Sequence, residues 1–248
     1  MLTLPPSADL ERTCRGLAML DALLSEDWEA RYFSFNADWG GGDRMASMRS
    51  GSGDEWFIVF GDGGVFLKVF FHELARAEPG EIYAGCPSAL SVHLTEPAFS
   101  MQYVTAGGFF TPERGWTLRG DPEALAELDI LAGDPQSYCD YAADSFEVAL
   151  PLESVAHVLA GKPLDNGLLS ALASEFFGDL PPDEAEGEYV VGTSLFAFDW
   201  WTFFDTSLVD GRALGGGVGH QLEIGGKFAT AEVRLVYALA LGGAAREH

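Results

Sequence analysis

Two apolar runs, Trp56-Phe57-Ile58-Val59-Phe60 and Val65-Phe66-Leu67-Lys68-Val69-Phe70, flank Gly61-Asp62-Gly63-Gly64. No other stretch limits the fold as strongly. Runs rich in aromatic and β-branched residues favour strands, and Gly and Asp accept the positive φ of a primed tight turn. The pair predicts a β-hairpin. A turn at Asp62-Gly63 pairs Phe60 with Val65; one at Gly63-Gly64 pairs Phe60 with Leu67. Either register puts Trp56, Ile58, Phe60, Val65, Leu67 and Val69 on one face. Phe57, Val59, Phe66, Lys68 and Phe70 take the other. Both faces are apolar, so the hairpin belongs inside a sheet covered on both sides. Lys68 shares its face with Glu55 in either register, and an ion pair between them would satisfy it.

Around this hairpin the pattern predicts a first helix, capped by Ser7 or Asp9 and reaching about Ser25. Leu10, Cys14, Leu17, Leu20 and Leu24 form its buried stripe. A strand over Arg31–Asn36 stops at Gly40-Gly41-Gly42-Asp43. A short strand over Met45–Arg49 precedes a turn at Ser50-Gly51-Ser52-Gly53-Asp54. Beyond the hairpin, a short helix is expected over Pro87–Leu94 and strands over Met101–Phe110 and Trp116–Arg119. Asp121-Pro122-Glu123 and Asp134-Pro135 then open helices through Leu131 and Ala143, with proline in the first turn beside an acid. A strand over Phe146–Leu150, helices over Pro151–Leu159 and Asp165–Ser174, an aromatic stretch over Tyr189–Phe204, and segments Leu222–Ile224 and Thr230–Leu241 follow. Strands arrive in hairpins rather than in βαβ alternation. The expected class is α+β, with a mainly antiparallel sheet and helices packed on it. The chain is read as one domain over 1–248. The alternative boundary is at Gly120, between a strand-rich part (1–120) and an acidic part (121–248).

Charge bounds the partners. The formal net charge is −24, from 14 basic and 38 acidic residues. Residues 120–211 hold 19 acidic side chains against Lys162 alone. Binding to nucleic acid by phosphate neutralisation is thereby disfavoured, as is a basic patch on anionic lipid. The acids serve solubility, adaptation to salt (only Lys68, Lys162 and Lys227 are lysines) or docking of a basic partner. Pro181-Pro182-Asp183-Glu184-Ala185-Glu186-Gly187-Glu188 is the densest run and reads as an exposed loop. The N-terminus carries no secretory pattern. The most apolar late stretch, Val233–Gly243, is about half the ~20 residues of a membrane span. Cys14, Cys86 and Cys139 suit neither a disulfide framework nor a metal knuckle. Reduced thiols in a cytoplasmic protein are the expectation.

The stretch Met45-Ala46-Ser47-Met48-Arg49-Ser50-Gly51-Ser52-Gly53-Asp54-Glu55-Trp56-Phe57, followed by Phe60-Gly61, Gly64-Val65-Phe66-Leu67-Lys68 and His72-Glu73, resembles a family of bacterial cytosolic proteins of unknown function. Pro97-Ala98-Phe99 and Pro151-Leu152-Glu153-Ser154-Val155-Ala156-His157-Val158 add to the likeness, which spans about Trp28 to Pro163. A Cys-x-Trp-Arg element of that family has no counterpart near Met101–Trp116. The resemblance implies a bacterial, intracellular setting and no activity.

Four groups carry candidate chemistry. Hairpin arithmetic gathers Asp54, Glu55, His72 and Glu73 at one end of the sheet, where carboxylates beside an imidazole suit general-base work or a divalent metal. The glycine clusters Gly40–Gly42, Gly61–Gly64 and Gly215–Gly219 lack the helix and lysine of a phosphate loop and read as turns. His93 and His157 sit on apolar helices and read as packed histidines. Six rings between Phe196 and Phe204, including Trp200 and Trp201, cannot all face one core from a strand. No GxSxG elbow is present. The leading expectation is an acidic intracellular binding protein of the immunity or antitoxin kind. It needs no cofactor and meets a basic protein through Asp183, Glu184, Glu186, Glu188, Trp200 and Trp201. The alternative is a metal-assisted hydrolase using Asp54, Glu55, His72 and Glu73. A third reading is a homodimer joined through the aromatic segment.

Overall fold

The computed structural model describes residues 4–25, 28–165, 167–169 and 171–172. Its centre is a six-stranded antiparallel sheet in simple sequence order: β1 (Phe33–Gly40), β2 (Asp43–Arg49), β3 (Glu55–Gly61), β4 (Gly64–Phe70), β5 (Ala106–Thr111) and β6 (Gly115–Gly120). The expected hairpin is β3–β4. Phe60 pairs with Val65 and Gly61 with Gly64, which selects the Asp62-Gly63 turn. Each strand pairs with its neighbours in sequence, which leaves only the outer edges of β1 and β6 without a strand partner in this sheet, and the central pair needs no crossover. Its residues are almost all buried, as two apolar faces require.

The two faces build two cores. Trp56, Ile58, Phe60, Val65, Leu67 and Val69 join a large cluster with helix α1 (Ser7–Leu24), helix α5 (Pro135–Phe146) and helix α6 (Leu152–Leu159). Residues on both sides of Gly120 share that cluster. Phe57, Val59 and Phe66 meet Met45, Ile82, Tyr83, Phe99 and Val104 in a second one. It is roofed by the 77–104 connection, which holds the short helices α2 (Pro79–Ile82) and α3 (Ser88–Ser91). Stacked rings, with Phe57 and Phe99 at 5.0 Å and Phe66 and Tyr83 at 4.9 Å, tie that roof to the sheet. On the helical side α1 and α6 approach closely because position 16 is glycine. A Cβ there would lie 3.1 Å from the Leu159 backbone and 2.9 Å from its side chain.

Several local expectations shift. Helix α1 begins after Pro6 and no side chain caps it; Asp9 lies inside the first turn and pairs with Arg12 at 2.7 Å. Strand β1 starts at Phe33 and runs on to Gly40, because Gly41 and Gly42 adopt positive φ for the reversal into β2. The Pro87–Leu94 helix is two short pieces, α3 and a 3₁₀ turn over Val92–Thr95. Strand β5 begins only at Ala106: Ser100, at φ 45°, turns the chain, and Thr105 N–H first reaches Val69 O at 2.9 Å.

The Asp121 helix, α4 (Pro122–Ala126), is shorter than expected and passes into a 3₁₀ turn that ends at Gly133, φ 80°. Asp121 and Asp134 do cap their helices, accepting from Glu123 N–H at 2.8 Å and Gln136 N–H at 3.0 Å. No strand forms over Phe146–Leu150. Glu147, at φ 56°, ends α5 in the left-handed conformation, and Val148 N–H turns back to Ala142 O. The elements expected after Ser174, the acidic run and the aromatic stretch lie outside the described residues, as does the last glycine cluster.

Candidate functional site

The hairpin register decides what gathers at the open end of β3 and β4. Glu55 pairs with Phe70, so the next residues out, Asp54 and Gly53, fall opposite Phe71 and His72. Asp54 Oδ1 accepts from His72 backbone N–H at 2.9 Å and lies 2.7 Å from His72 Nδ1. Asp54 and His72 are thus brought together as expected. Glu55 is not part of that group. It points to the second face, where its Oε1 accepts from Lys68 Nζ at 2.5 Å. Lys68 is fully buried there between the rings of Phe57 and Phe70, 5.5 and 5.3 Å from its ammonium. Glu73 is 86% exposed and its Oε1 sits 4.0 Å from His72 Nε2. Among the described residues no group of three or more His, Cys, Asp or Glu side chains converges to hold a metal ion.

The paired carboxylate raises the His72 imidazole above its ordinary value, and the His72 backbone N–H, followed by its ring, lowers the Asp54 carboxyl against the opposing effect of burial. The pair's contribution to stability is full between the unfolded aspartate value, 3.8, and the unfolded histidine value, 6.5; it is lost as pH rises through the raised His72 value or falls through the lowered Asp54 value. An NMR titration is expected to place the His72 midpoint above 6.5, and Asp54→Asn to bring it down. An unchanged midpoint in the variant would show that the pair does not form in solution.

Asp54 also faces the helical side, where it lines a cleft of about 400 Å³. The floor and walls are Tyr32, Phe33, Trp56, Phe71 and Tyr141, and the carboxylates are Asp54, Glu127, Asp129 and Asp140. The carboxylates come from three places: the turn before β3, the segment after α4, and the exposed side of α5. Among the described residues no lysine, arginine or histidine lines this cleft, although His72 holds Asp54 from outside it. Glu127, Asp129 and Asp140 are exposed; the Asp140 carboxylate accepts from the neutral amide of Gln136 at 2.8 Å. The rings are held in a cluster, with Tyr32 and Tyr141 at 5.4 Å, Phe33 and Tyr141 at 5.1 Å edge-on, and Phe33 and Trp56 at 6.1 Å.

One buried carboxylate sets that cluster from behind. Asp21, on α1, is fully buried and accepts four hydrogen bonds. Tyr32 and Phe33 backbone N–H groups donate to it at 2.8 and 2.9 Å, and the Tyr138 and Tyr141 hydroxyls at 2.7 and 3.3 Å. Burial outweighs these donors and pushes its pKa up to about 6. The sequence reading passed over Asp21 because the helical stripe around it is apolar. An acid lodged between Leu20 and Leu24 was the available signal. It also passed over Glu127, Asp129 and Asp140 as members of a site, since only the tertiary packing of the α4–α5 region sets them around the same cleft as Asp54.

The remaining candidates are structural. His157 Nε2 is 2.6 Å from Pro163 O and His93 is packed 3.7 Å from Asp43. Cys14 is buried and its thiol is pushed far up by burial. A second hollow of about 350 Å³, between α1 and α6, is lined by Ala132, Gly133, Ala156 and Ala160 with the Asp9–Arg12 pair, so its charges are already matched. Asp183, Glu184, Glu186, Glu188, Trp200 and Trp201 lie outside the described residues. No helix among the described residues is long and apolar enough to cross a membrane. No family model, curated protein or solved structure matches this chain.

Proposed function

We propose that the chain is an acidic binding protein that receives a basic protein partner at the aromatic cleft between α5 and the edge of the sheet. The observation carrying this reading is the cleft's composition: Glu127, Asp129 and Asp140, with Asp54 already held by His72, over the half-buried rings of Tyr32, Phe71 and Tyr141 backed by buried Phe33 and Trp56, and no lysine or arginine among the described lining residues. Carboxylates at a rim raise the encounter rate of a basic partner and fix its register, while rings in the centre of a patch supply the desolvated contact. Three of the four carboxylates belong to the 120–211 segment, whose 19 acids face one lysine in sequence. Neutralisation of a basic enzyme, as immunity and antitoxin proteins perform, is the role that fits such a surface best. It calls for no cofactor.

The test separates the cleft from the general acidity of the chain. Binding of a short basic peptide is measured by calorimetry for the wild type, for Asp129→Asn/Asp140→Asn, and for Glu78→Gln/Glu81→Gln. The last pair is exposed on the opposite roof and removes the same charge. The cleft variant is expected to lose about tenfold or more in affinity, the remote variant less than about threefold, and the wild type to weaken steeply with salt. Equal losses in the two variants would reduce the effect to net charge and overturn the reading.

A further inference from the structure

The chain already contains one complete example of the chemistry that the cleft offers in part. Arg15 lays its guanidinium 4.5 Å above the Phe35 ring and donates to Glu11 Oε1 from Nη2 at 2.7 Å. Arg44 donates to both oxygens of the same carboxylate, at 2.8 and 3.1 Å. A ring face, a carboxylate and a guanidinium are all present there. In the cleft the rings and the carboxylates are present, and the described lining residues provide no guanidinium.

From this we infer that the occupant of the cleft is an arginine side chain of the basic partner, chosen over lysine by the aromatic floor. The inference rests on the reading of the cleft as the partner's seat. A guanidinium is planar and weakly hydrated. It stacks on rings while its five N–H donors spread outward in a fixed fork. Carboxylates set around a ring floor by separate elements suit such a fork. An ammonium is compact and strongly hydrated, so it keeps its water near a rim and gains little from the floor. The floor is fixed before binding: Asp21 ties the backbone at Tyr32 and Phe33 and the Tyr141 hydroxyl, and His72 holds Asp54. A seat already formed spends little of the binding energy on ordering itself.

The experiment uses the full chain with two peptides of equal length and charge, one bearing arginines and the other lysines at the same positions, and with agmatine as a free guanidinium. The arginine peptide is expected to bind about tenfold more tightly than the lysine peptide. That advantage is expected to disappear in Asp129→Asn/Asp140→Asn and to survive in Glu78→Gln/Glu81→Gln. Equal affinities for the two peptides would overturn the choice of arginine and leave the cleft as a seat for basic partners. Failure of both peptides at low salt would overturn the seat itself. Agmatine binding as tightly as the arginine peptide would make the occupant a small organic cation and overturn the assignment to a protein side chain.

Discussion

Glu55→Ala is expected to cost about 3 kcal/mol of unfolding free energy at neutral pH, the lower end of the range for stranding one partner of a buried ion pair. The lower end applies because Glu55 is 25% exposed, whereas Lys68 is fully buried. Truncation leaves the ammonium among Phe57, Phe70 and the sheet, with ring faces as its remaining attraction. Burial already pulls the Lys68 amine below its usual value, with Glu55 opposing that pull. Without the carboxylate the folded value falls further. A base whose folded pKa lies below its unfolded one binds fewer protons when native, so stability rises with pH between the two values. The deficit of Glu55→Ala should therefore shrink as pH rises toward 10.5, the unperturbed lysine value. Lys68→Met in the same background should recover most of the loss, because an apolar chain of similar volume leaves no buried charge. Urea unfolding of the wild type and both variants at two pH values measures all of this. A loss below about 1 kcal/mol for Glu55→Ala, or no recovery with Lys68→Met, would mean that Lys68 finds water and that the pair is incidental.

The same pair shows why part of this molecule is legible in its sequence. A strand alternates with period two, so the faces of β3 and β4, the ion pair of Lys68 with Glu55, and the approach of His72 to Gly53 all follow from counting once the turn is placed. Counting alone would put His72, two residues past Phe70, on the Glu55 face; because β4 ends at Phe70 the alternation stops there, and the imidazole meets Asp54 instead while Glu55 is taken by Lys68. Helix starts were legible where Asp-Pro supplied both the cap and the fixed φ, as at Asp121 and Asp134. Their ends were not, because Gly133 and Glu147 stop their segments through positive φ, and a glutamate carries no sequence sign of that. The cleft was invisible for a different reason. Its members come from residues 32 to 141 and meet only when the α4 end, the following 3₁₀ turn and α5 pack against the sheet, a packing outcome with no local signature. The binding reading drawn from charge rested on Asp183 to Glu188 and the Trp200-Trp201 segment. The described residues relocate its support to acids at 54, 127, 129 and 140.

The carboxylate behind that cleft gives the second large effect. Asp21 has a pKa of about 6 in the folded chain against 3.8 for a free aspartate. The native state therefore holds its proton more tightly than the unfolded chain between those values. Stability due to this group is complete below pH 3.8 and is lost as pH rises through about 6. About two pKa units correspond to about 3 kcal/mol. The rest of this acidic chain also titrates in that window, so the observable is the difference between wild type and Asp21→Asn, in which the common repulsion cancels. That difference should move by about 2 kcal/mol against the wild type from pH 4 to pH 7, most of the full effect, read from urea midpoints at constant slope. A flat difference would place the Asp21 carboxyl at an ordinary value and remove the cost argued here. The cost has a local return. An ionised Asp21 is an acceptor for all four of its donors, two on the backbone of β1 and two on α5, and Tyr141 carries that constraint to the cleft floor. An asparagine offers only one oxygen and aims an amide N–H at donors. Asp21→Asn should thus be relatively more stable at neutral pH and yet bind the arginine peptide less tightly, the opposition expected where a strained group positions a binding surface.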